Sequence, residues 1–192
     1  YEQYKAQREE TPEVIRLSVP IIKDIIRAYQ IPILEVPGYE ADDVIGTLAT
    51  EAGKQGIMTY MMTPDKDYGQ LVSENVFMYR PKYGDKEFEV MGIEQVKAKF
   101  DIQSPLQVID MLGLMGDSSD NIPGCPGVGE KTAQKLIAQF GSIENLLAHT
   151  DELKGALKTK VETNKELITF SKFLATIKTD VPIKLQLEEL ER

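Results

Sequence analysis

The chain changes its pattern once, at Gly92, and that change bounds what it can fold into. Before it, short apolar runs alternate with helical periods; after it, only helical periods remain. Ile33-Leu34-Glu35-Val36 reads as a strand ended by Pro37-Gly38. Residues 40–53 read as a helix with Val44, Ile45, Leu48, Ala49 and Ala52 on its apolar face, and Gly56 closes it. Residues 57–62 form a continuous apolar run, the kind buried on both faces of a parallel sheet. Strand, helix and strand with short links predict a right-handed βαβ unit. Residues 75–79 and 88–90 flank Tyr83-Gly84-Asp85-Lys86 and predict a hairpin. Upstream, Thr11-Pro12-Glu13 predicts a helix start with Thr11 as N-cap, followed by Ile15, Val19, Ile22, Ile25 and Ile26 at helical spacing. Pro20 should kink or divide that helix, with Ser18 as a second cap. After Gly92, helical patterns cover 93–100, 104–115, 129–140, 143–148 and 158–177. The expected organisation is an α/β part over 1–92, with a partial parallel sheet and flanking helices, then an all-helical part over 93–192.

Charge at first points away from nucleic acid. There are 22 basic against 31 acidic residues, a net charge of −9, and polyanions are normally met by basic surfaces. A single cysteine, Cys125, excludes an internal disulfide and a cysteine-based zinc site, and suits a reducing, cytoplasmic setting. No apolar run approaches the ~20 residues that span a bilayer, so no membrane partner is expected. The start, Tyr1-Glu2-Gln3-Tyr4-Lys5, carries no signal-peptide pattern and no initiator methionine, as expected of a piece of a longer protein.

The position of the acids changes the meaning of the charge. Glu40, Asp42 and Asp43 follow the first predicted strand; Asp65 and Asp67 follow the second; Asp117 and Asp120 lie in Gly116-Asp117-Ser118-Ser119-Asp120-Asn121. Ligands of open parallel sheets bind outside the carboxyl ends of the strands. Each group has an ordinary structural explanation. Acids in a first helical turn favour the helix dipole, Asp65 and Asp67 suit an Asx-turn, and 117–120 suits a polar loop with an N-cap. Capping, however, needs one acid where three stand in four residues, and carboxylates brought together repel unless a cation intervenes. Oxygen-only ligands suit Mg²⁺ or Mn²⁺ rather than zinc. Two such ions about 4 Å apart are the apparatus of phosphodiester hydrolysis.

The most selective stretch is Ile122-Pro123-Gly124-Cys125-Pro126-Gly127-Val128-Gly129-Glu130-Lys131-Thr132-Ala133. Gly127 and Gly129 give a tight turn directly before a helix, whose N-terminal amides attract phosphate. Lys131 and Lys135 share one face of that helix. No aromatic or amide side chain is placed to read a base edge, so binding here would be to backbone and shape. The plain alternative is a glycine-rich helix cap. The stretch is neither a Walker loop nor a dinucleotide fingerprint.

Together, Glu40-Ala41-Asp42-Asp43, Thr63-Pro64-Asp65-Lys66-Asp67 and Gly116–Gly124 followed by Gly127–Ala133 resemble, in order and spacing, the 5′–3′ exonuclease (flap endonuclease) domain of bacterial DNA polymerase I. The resemblance runs over essentially the whole chain. It implies a PIN/flap-endonuclease-like α/β core followed by a helix–three-turn–helix DNA-binding region. It implies that Glu40, Asp42, Asp43, Asp65, Asp67, Asp117 and Asp120 hold two divalent metals. It implies that Gly127, Val128, Gly129, Lys131, Thr132 and Lys135 grip duplex DNA, with a monovalent cation such as K⁺ on the hairpin carbonyls. Tyr4-Lys5-Ala6-Gln7-Arg8 resembles the family's Tyr-Lys-x-x-Arg segment, whose bases, here Lys5 and Arg8, contact the scissile phosphate; by themselves they read as a solvated helix face. The implied partners are DNA with a 5′ flap or nick and the polymerase domains of the same chain.

The family begins further upstream, with two more aspartate ligands and much of a helical arch. The expectation is therefore a nuclease parent, a weak or inactive fragment, and a sheet with an open edge and bare apolar surface. A structure-specific DNA-binding module without catalysis is the alternative, and an RNA-directed nuclease on a similar scaffold is a third reading. His149 reads as a helix-end residue, Cys125 as incidental, and Met58, Met61 and Met62 as core filler. Tyr39 and Tyr68 adjoin the carboxylates, where packing or base stacking would each suit them.

Overall fold

The computed structural model describes residues 4–81 and 87–190. Its first regular element is α1, Glu13–Ala28. Thr11 is not its cap: Pro12 occupies the N-cap position, and no side chain closes the helix start. Nor does Pro20 divide it. The proline removes one intrahelical donor, while the Ser18 hydroxyl donates 2.7 Å back to the Val14 carbonyl instead of opening a second helix. No residue of α1 is buried, and Ile15, Ile22 and Ile25 stay about half exposed along its apolar stripe.

The predicted strand at Ile33-Leu34-Glu35-Val36 is not one. The segment is irregular, bracketed by Pro32 and Pro37, and no strand among the described residues pairs with it. An apolar run becomes a strand only when an edge receives its amides and carbonyls. The predicted βαβ unit therefore does not form. Instead α2, Ala41–Lys54, leads to β1, Thr59–Met62, and a 3₁₀ helix, Lys66–Leu71, carries the chain on to β2, Val76–Pro81. β1 and β2 pair in parallel, Thr59 opposite Val76 and Met62 opposite Tyr79. β2 turns back antiparallel onto β3, Phe88–Met91, with Arg80 opposite Glu89. The predicted hairpin is thus present, and its turn, Tyr83 to Lys86, lies outside the described residues.

The sheet is covered on one face only. Met61, Val76, Met78 and Met91 point into the core, and α2 approaches so closely that a side chain at Gly53 would meet Val76 Cγ2 at 2.7 Å. The other face is bare: Met58 is 63% and Met62 75% exposed, so of the three methionines expected in the core only Met61 is there. On that bare face Tyr60 stacks on Phe77 and meets Tyr79 edge-on, and Tyr79 stacks on Phe88 with ring centroids 4.7 Å apart. Among the described residues β1 is an open edge, as expected.

The helical part begins with α3, Ile93–Phe100, whose start is closed by Gln95 accepting the Gly92 amide at 3.0 Å. α4, Gln107–Met115, is the hub, with Val108, Met111, Leu112 and Leu114 wholly buried against α5, Glu130–Phe140, α6, Ile143–Ala148, and α8, Lys165–Ala175. A Cβ at Gly113 would meet Ile143 Cδ1 at 2.8 Å, so glycine permits this close crossing. Beneath it, buried Asp110 binds the Lys172 ammonium at 2.7 Å and accepts the Ile143 amide at 2.9 Å. The helix expected over 158–177 is two, α7, Gly155–Thr163, and α8, because the Asn164 side-chain amide donates to the Lys160 carbonyl at 2.8 Å and ends α7. A short α9, Leu187–Leu190, closes the chain. One contiguous core runs from Ala49 through Ala175, joining sheet and helices. Among the described residues no helix is long and apolar enough to cross a membrane.

Candidate functional site

The turn after α4 is dictated by its glycines. Gly116 takes φ +74°, and a Cβ there would lie 2.5 Å from the Ile122 carbonyl; Gly124 takes φ +63°, and its Cβ would strike the Gly116 backbone. Only glycine fits either place. Between them the Asp117 and Ile122 backbones exchange two hydrogen bonds, of 2.9 and 2.8 Å. Asp117 Oδ1 accepts the Ser119 amide and hydroxyl at 2.7 and 2.6 Å, an Asx-turn. Its Oδ2 binds the Lys66 ammonium. Burial pushes the Asp117 carboxyl up, but the bonds from Lys66 and Ser119 outweigh it and hold the group below its ordinary value.

Lys66 comes from the 3₁₀ helix, capped by Asp65, whose Oδ1 accepts the Asp67 amide at 3.0 Å. This is the Asx-turn weighed above, yet it leaves Asp67 unresolved in charge. Asp67 Oδ1 is buried and, among the described residues, without a hydrogen-bond partner. Burial first, then the charges of Asp65 and Asp117, push the Asp67 carboxyl up to about 7. Asp65, Asp67, Asp117 and Asp120 line one cleft of about 490 Å³, together with Arg8, Lys66, Arg80 and Lys99.

The N-terminal segment closes one side. Residues 4–7 form a turn rather than a helix face, with Lys5 at φ +57° and its amide on the Asp120 carbonyl at 3.0 Å. Gln7 donates to the Ser118 carbonyl at 2.6 Å. Arg8 pairs with Asp120, and Lys5 with Glu40 and, at 3.9 Å, with Asp120. Burial lowers the Lys5 pKa, but the hydrogen bond to Glu40 reverses this and leaves it raised. Lys5 and Arg8 therefore meet at the rim of the acidic cleft.

The remaining α2 carboxylates stand apart from that cleft. Asp42 accepts the Tyr68 hydroxyl at 2.8 Å, and Tyr68 is only 3% exposed, a packed tether rather than a stacking platform. Asp43 Oδ1 accepts the Lys178 amide at 2.9 Å, tying α2 to the C-terminal segment. Tyr39 carries the Lys178 ammonium 5.5 Å from its ring centre. Among the described residues no three carboxylates are close enough together to ligate one ion. The donor set still suits a hard cation: oxygen only, with a buried orphaned oxygen on Asp67 beside two like charges. Sequence reasoning gave no role to Lys66, Arg80 or Lys99. Lys66 had a signal, lying between two acids; Arg80 and Lys99 come from separate elements and had none.

The same loop continues into the glycine-rich hairpin. The Cys125 amide donates to the Leu114 carbonyl at 2.7 Å, and the Gly124 amide to Ser171 Oγ at 2.9 Å. Gly127 takes φ +75° against the Lys160 side chain, and Lys160 Nζ donates to its carbonyl at 3.3 Å. Val128 is buried and its amide is spent on the Cys125 carbonyl at 2.9 Å, so it pins the turn and has no donor to offer. Gly129 is the N-cap of α5; Thr132 is the first residue to bond back to it, which leaves the amides of Glu130 and Lys131 ahead of the first intrahelical bond. Lys131 and Lys135 are exposed and Thr132 half-buried. Cys125 is buried and its thiol pushed up by burial, and His149 caps α6 with its ring on the Asn145 carbonyl at 2.9 Å.

Comparison with known proteins accounts for both halves. The 5′-3′ exonuclease N-terminal resolvase-like domain matches residues 1–101, and the 5′-3′ exonuclease C-terminal SAM fold matches residues 103–192. DNA polymerase I of Bacillus subtilis (strain 168) is 46% identical over 192 residues, 100% of this chain and 22% of the polymerase. A 5′-3′ exonuclease of Aquifex aeolicus (strain VF5) is 39% identical over 191 residues, 100% of this chain and 63% of that protein. The chain thus spans 22% of the length of the polymerase relatives. Among solved structures, a bacteriophage T5 flap endonuclease in a pseudo-enzyme-product complex with DNA and metal ions matches with a TM-score of 0.75 at 21% identity, over 92% of this chain and 68% of that one. The catalytic core of Rad2 in complex with DNA substrate matches with a TM-score of 0.56 at 18% identity, over 90% and 59%. These two share the fold: a small mixed sheet with helices, followed by a helical unit. With family profiles matching both halves of its sequence, this chain belongs to the 5′–3′ exonuclease family.

Proposed function

We propose that the chain is part of the 5′–3′ exonuclease, or flap endonuclease, of a bacterial DNA polymerase I, acting on DNA phosphodiesters at a 5′ flap or nick in the cytoplasm. The observation that carries this reading is the acidic cleft whose Asp67 oxygen is buried without a partner, rimmed by two bases. Asp65, Asp67, Asp117 and Asp120 would hold Mg²⁺ or Mn²⁺ there, with Glu40, Asp42 and Asp43 on the α2 side. Such a cation, when bound, supplies an activated water and charge stabilisation at the leaving oxygen. Lys5 and Arg8 pair with Glu40 and Asp120 at the rim of the cleft, where they would also contact the scissile phosphate. The α5 amides of Glu130 and Lys131, with Lys131 and Lys135, take the phosphates of the duplex without reading bases. A K⁺ on the hairpin carbonyls would share the Gly127 carbonyl with Lys160.

A second reading, DNA binding without catalysis, is favoured by one observation: lysine and arginine already sit on Asp117 and Asp120. A labelled 5′-flap duplex, offered to this chain within a protein of the relatives' full length, separates the two. Cleavage with Mg²⁺ or Mn²⁺ that leaves a 5′-phosphate and is lost in Asp67→Asn supports the nuclease. Tight binding with no cleavage supports the second reading. Neither binding nor cleavage rejects both.

A further inference from the structure

The wall of the cleft opposite the N-terminal segment carries two bases that the carboxylates do not use. Arg80 is the penultimate residue of β2 and Lys99 stands in the last turn of α3, two elements brought together by the β2–β3 hairpin. Both line the cleft beside Asp65 and Asp117. The carboxylates there are met from elsewhere, Asp117 by Lys66 and Asp120 by Arg8. Lys99 has no carboxylate within 4 Å among the described residues; its ammonium lies 5.5 Å from the Phe100 ring centre. Arg80 has one, Glu89, its cross-strand neighbour, but at 3.9 Å, and its guanidinium otherwise rests on Met91 sulfur at 3.7 Å. An ion pair that long contributes little. The arginine side chain is only 20% exposed, so it is held in place without a strong partner. Burial first, then the charge of Arg80, holds the Lys99 ammonium below its ordinary pKa against a smaller pull from Glu89.

We propose that Arg80 and Lys99 form a phosphate subsite, which binds a backbone phosphate of the DNA strand next to the one at the carboxylates. A phosphodiester there accepts from the planar guanidinium fork and pairs with the ammonium, and so relieves their mutual repulsion. The subsite rests on the function proposed above and adds to it a second grip on the strand, separate from the α5 hairpin.

The test is fluorescence anisotropy of a labelled 5′-flap duplex against KCl, with Ca²⁺ as the divalent ion, for the wild-type chain, Arg80→Gln/Lys99→Gln, Arg80→Lys/Lys99→Arg and Lys131→Ala. Each lost phosphate contact reduces the salt slope by about 0.9, so with one phosphate released the double glutamine variant should lose about 3.5-fold less affinity than the wild type between about 50 and about 200 mM salt. The charge-preserving variant should keep the wild-type slope. Melting temperatures by circular dichroism should match, since both side chains lie at the cleft surface. If the double glutamine variant keeps the wild-type slope while Lys131→Ala lowers it, the subsite is wrong and the DNA-binding function stands. A wild-type chain that binds no DNA removes the function and the subsite together.

Discussion

Asp67→Asn isolates the electrostatic cost of the cleft. In the folded chain this carboxyl is pushed up to about 7 from 3.8, first by burial and then by Asp65 and Asp117. The sign follows from proton binding. Between pH 4 and 7 the unfolded chain has lost this proton while the folded chain keeps it, so stability falls as pH rises through that window and levels off above it. A difference of about 3 pH units at 1.36 kcal/mol each means that the ionised Asp67 costs the fold on the order of 4 kcal/mol above neutrality. Asparagine has the same shape and no charge. In EDTA, urea unfolding followed by circular dichroism should therefore give stabilities within about 1 kcal/mol of each other for wild type and Asp67→Asn near pH 4.5. At pH 8.5 the asparagine variant should be more stable by a large part of that figure. Adding Mn²⁺ at pH 8.5 should stabilise the wild type and leave the variant unmoved. Parallel stability curves across this range, or a variant less stable at high pH, would refute the account of Asp67 as an uncompensated buried charge.

Three further expectations follow from the packing. Gly124→Ala places a Cβ against the Gly116 backbone at positive φ, and should cost about 2–4 kcal/mol, whereas Gly129→Ala, with open space around its Cβ, should be nearly neutral in thermal melting. Asp110→Ala leaves the Ile143 amide without its acceptor and takes one of two carboxylates from the Lys172 ammonium, which keeps Glu144 at 2.8 Å; a loss of about 1–3 kcal/mol in urea unfolding is expected, with flap-DNA affinity unchanged per folded molecule. Lys131→Ala with Lys135→Ala should weaken duplex binding equally for unrelated sequences and lower its salt slope by about 2; sequence-dependent losses in anisotropy would contradict backbone recognition.

Local signals carried much of the fold. The helices 93–100 and 143–148 and the pairing of β2 with β3 depend on neighbours close in sequence, and their periodicity was enough to place them. Ile33–Val36 and the methionines of β1 depend on distant partners. Four apolar residues between prolines look the same whether or not an edge strand receives them, and Met58 and Met62 read as core only if a layer lies over both faces of the sheet. The site divides the same way. Acids at the ends of elements were legible as candidates, and the glycine pattern located the turn that presents Asp117 and Asp120. Which oxygen meets which cation was not, because Lys66 arrives from the 3₁₀ helix and Lys5 and Arg8 from the N-terminal segment, far in sequence from the acids they meet. Nor does spacing tell that Val128 spends its amide inside the turn.

The loop from Gly116 to Gly129 has a consequence for where a strand would be cut. Its two ends are fastened to the same scaffold, Gly116 to Leu112 and Cys125 to Leu114 on α4, with Gly124 bolted to α8 through Ser171. The acid-bearing turn and the hairpin proposed to hold the duplex are thus graduations on one rigid ruler. A double helix seated on the hairpin would be offered to the carboxylates at a constant offset, whatever its sequence, so the position of the scissile bond relative to the junction would be measured by the length of this loop.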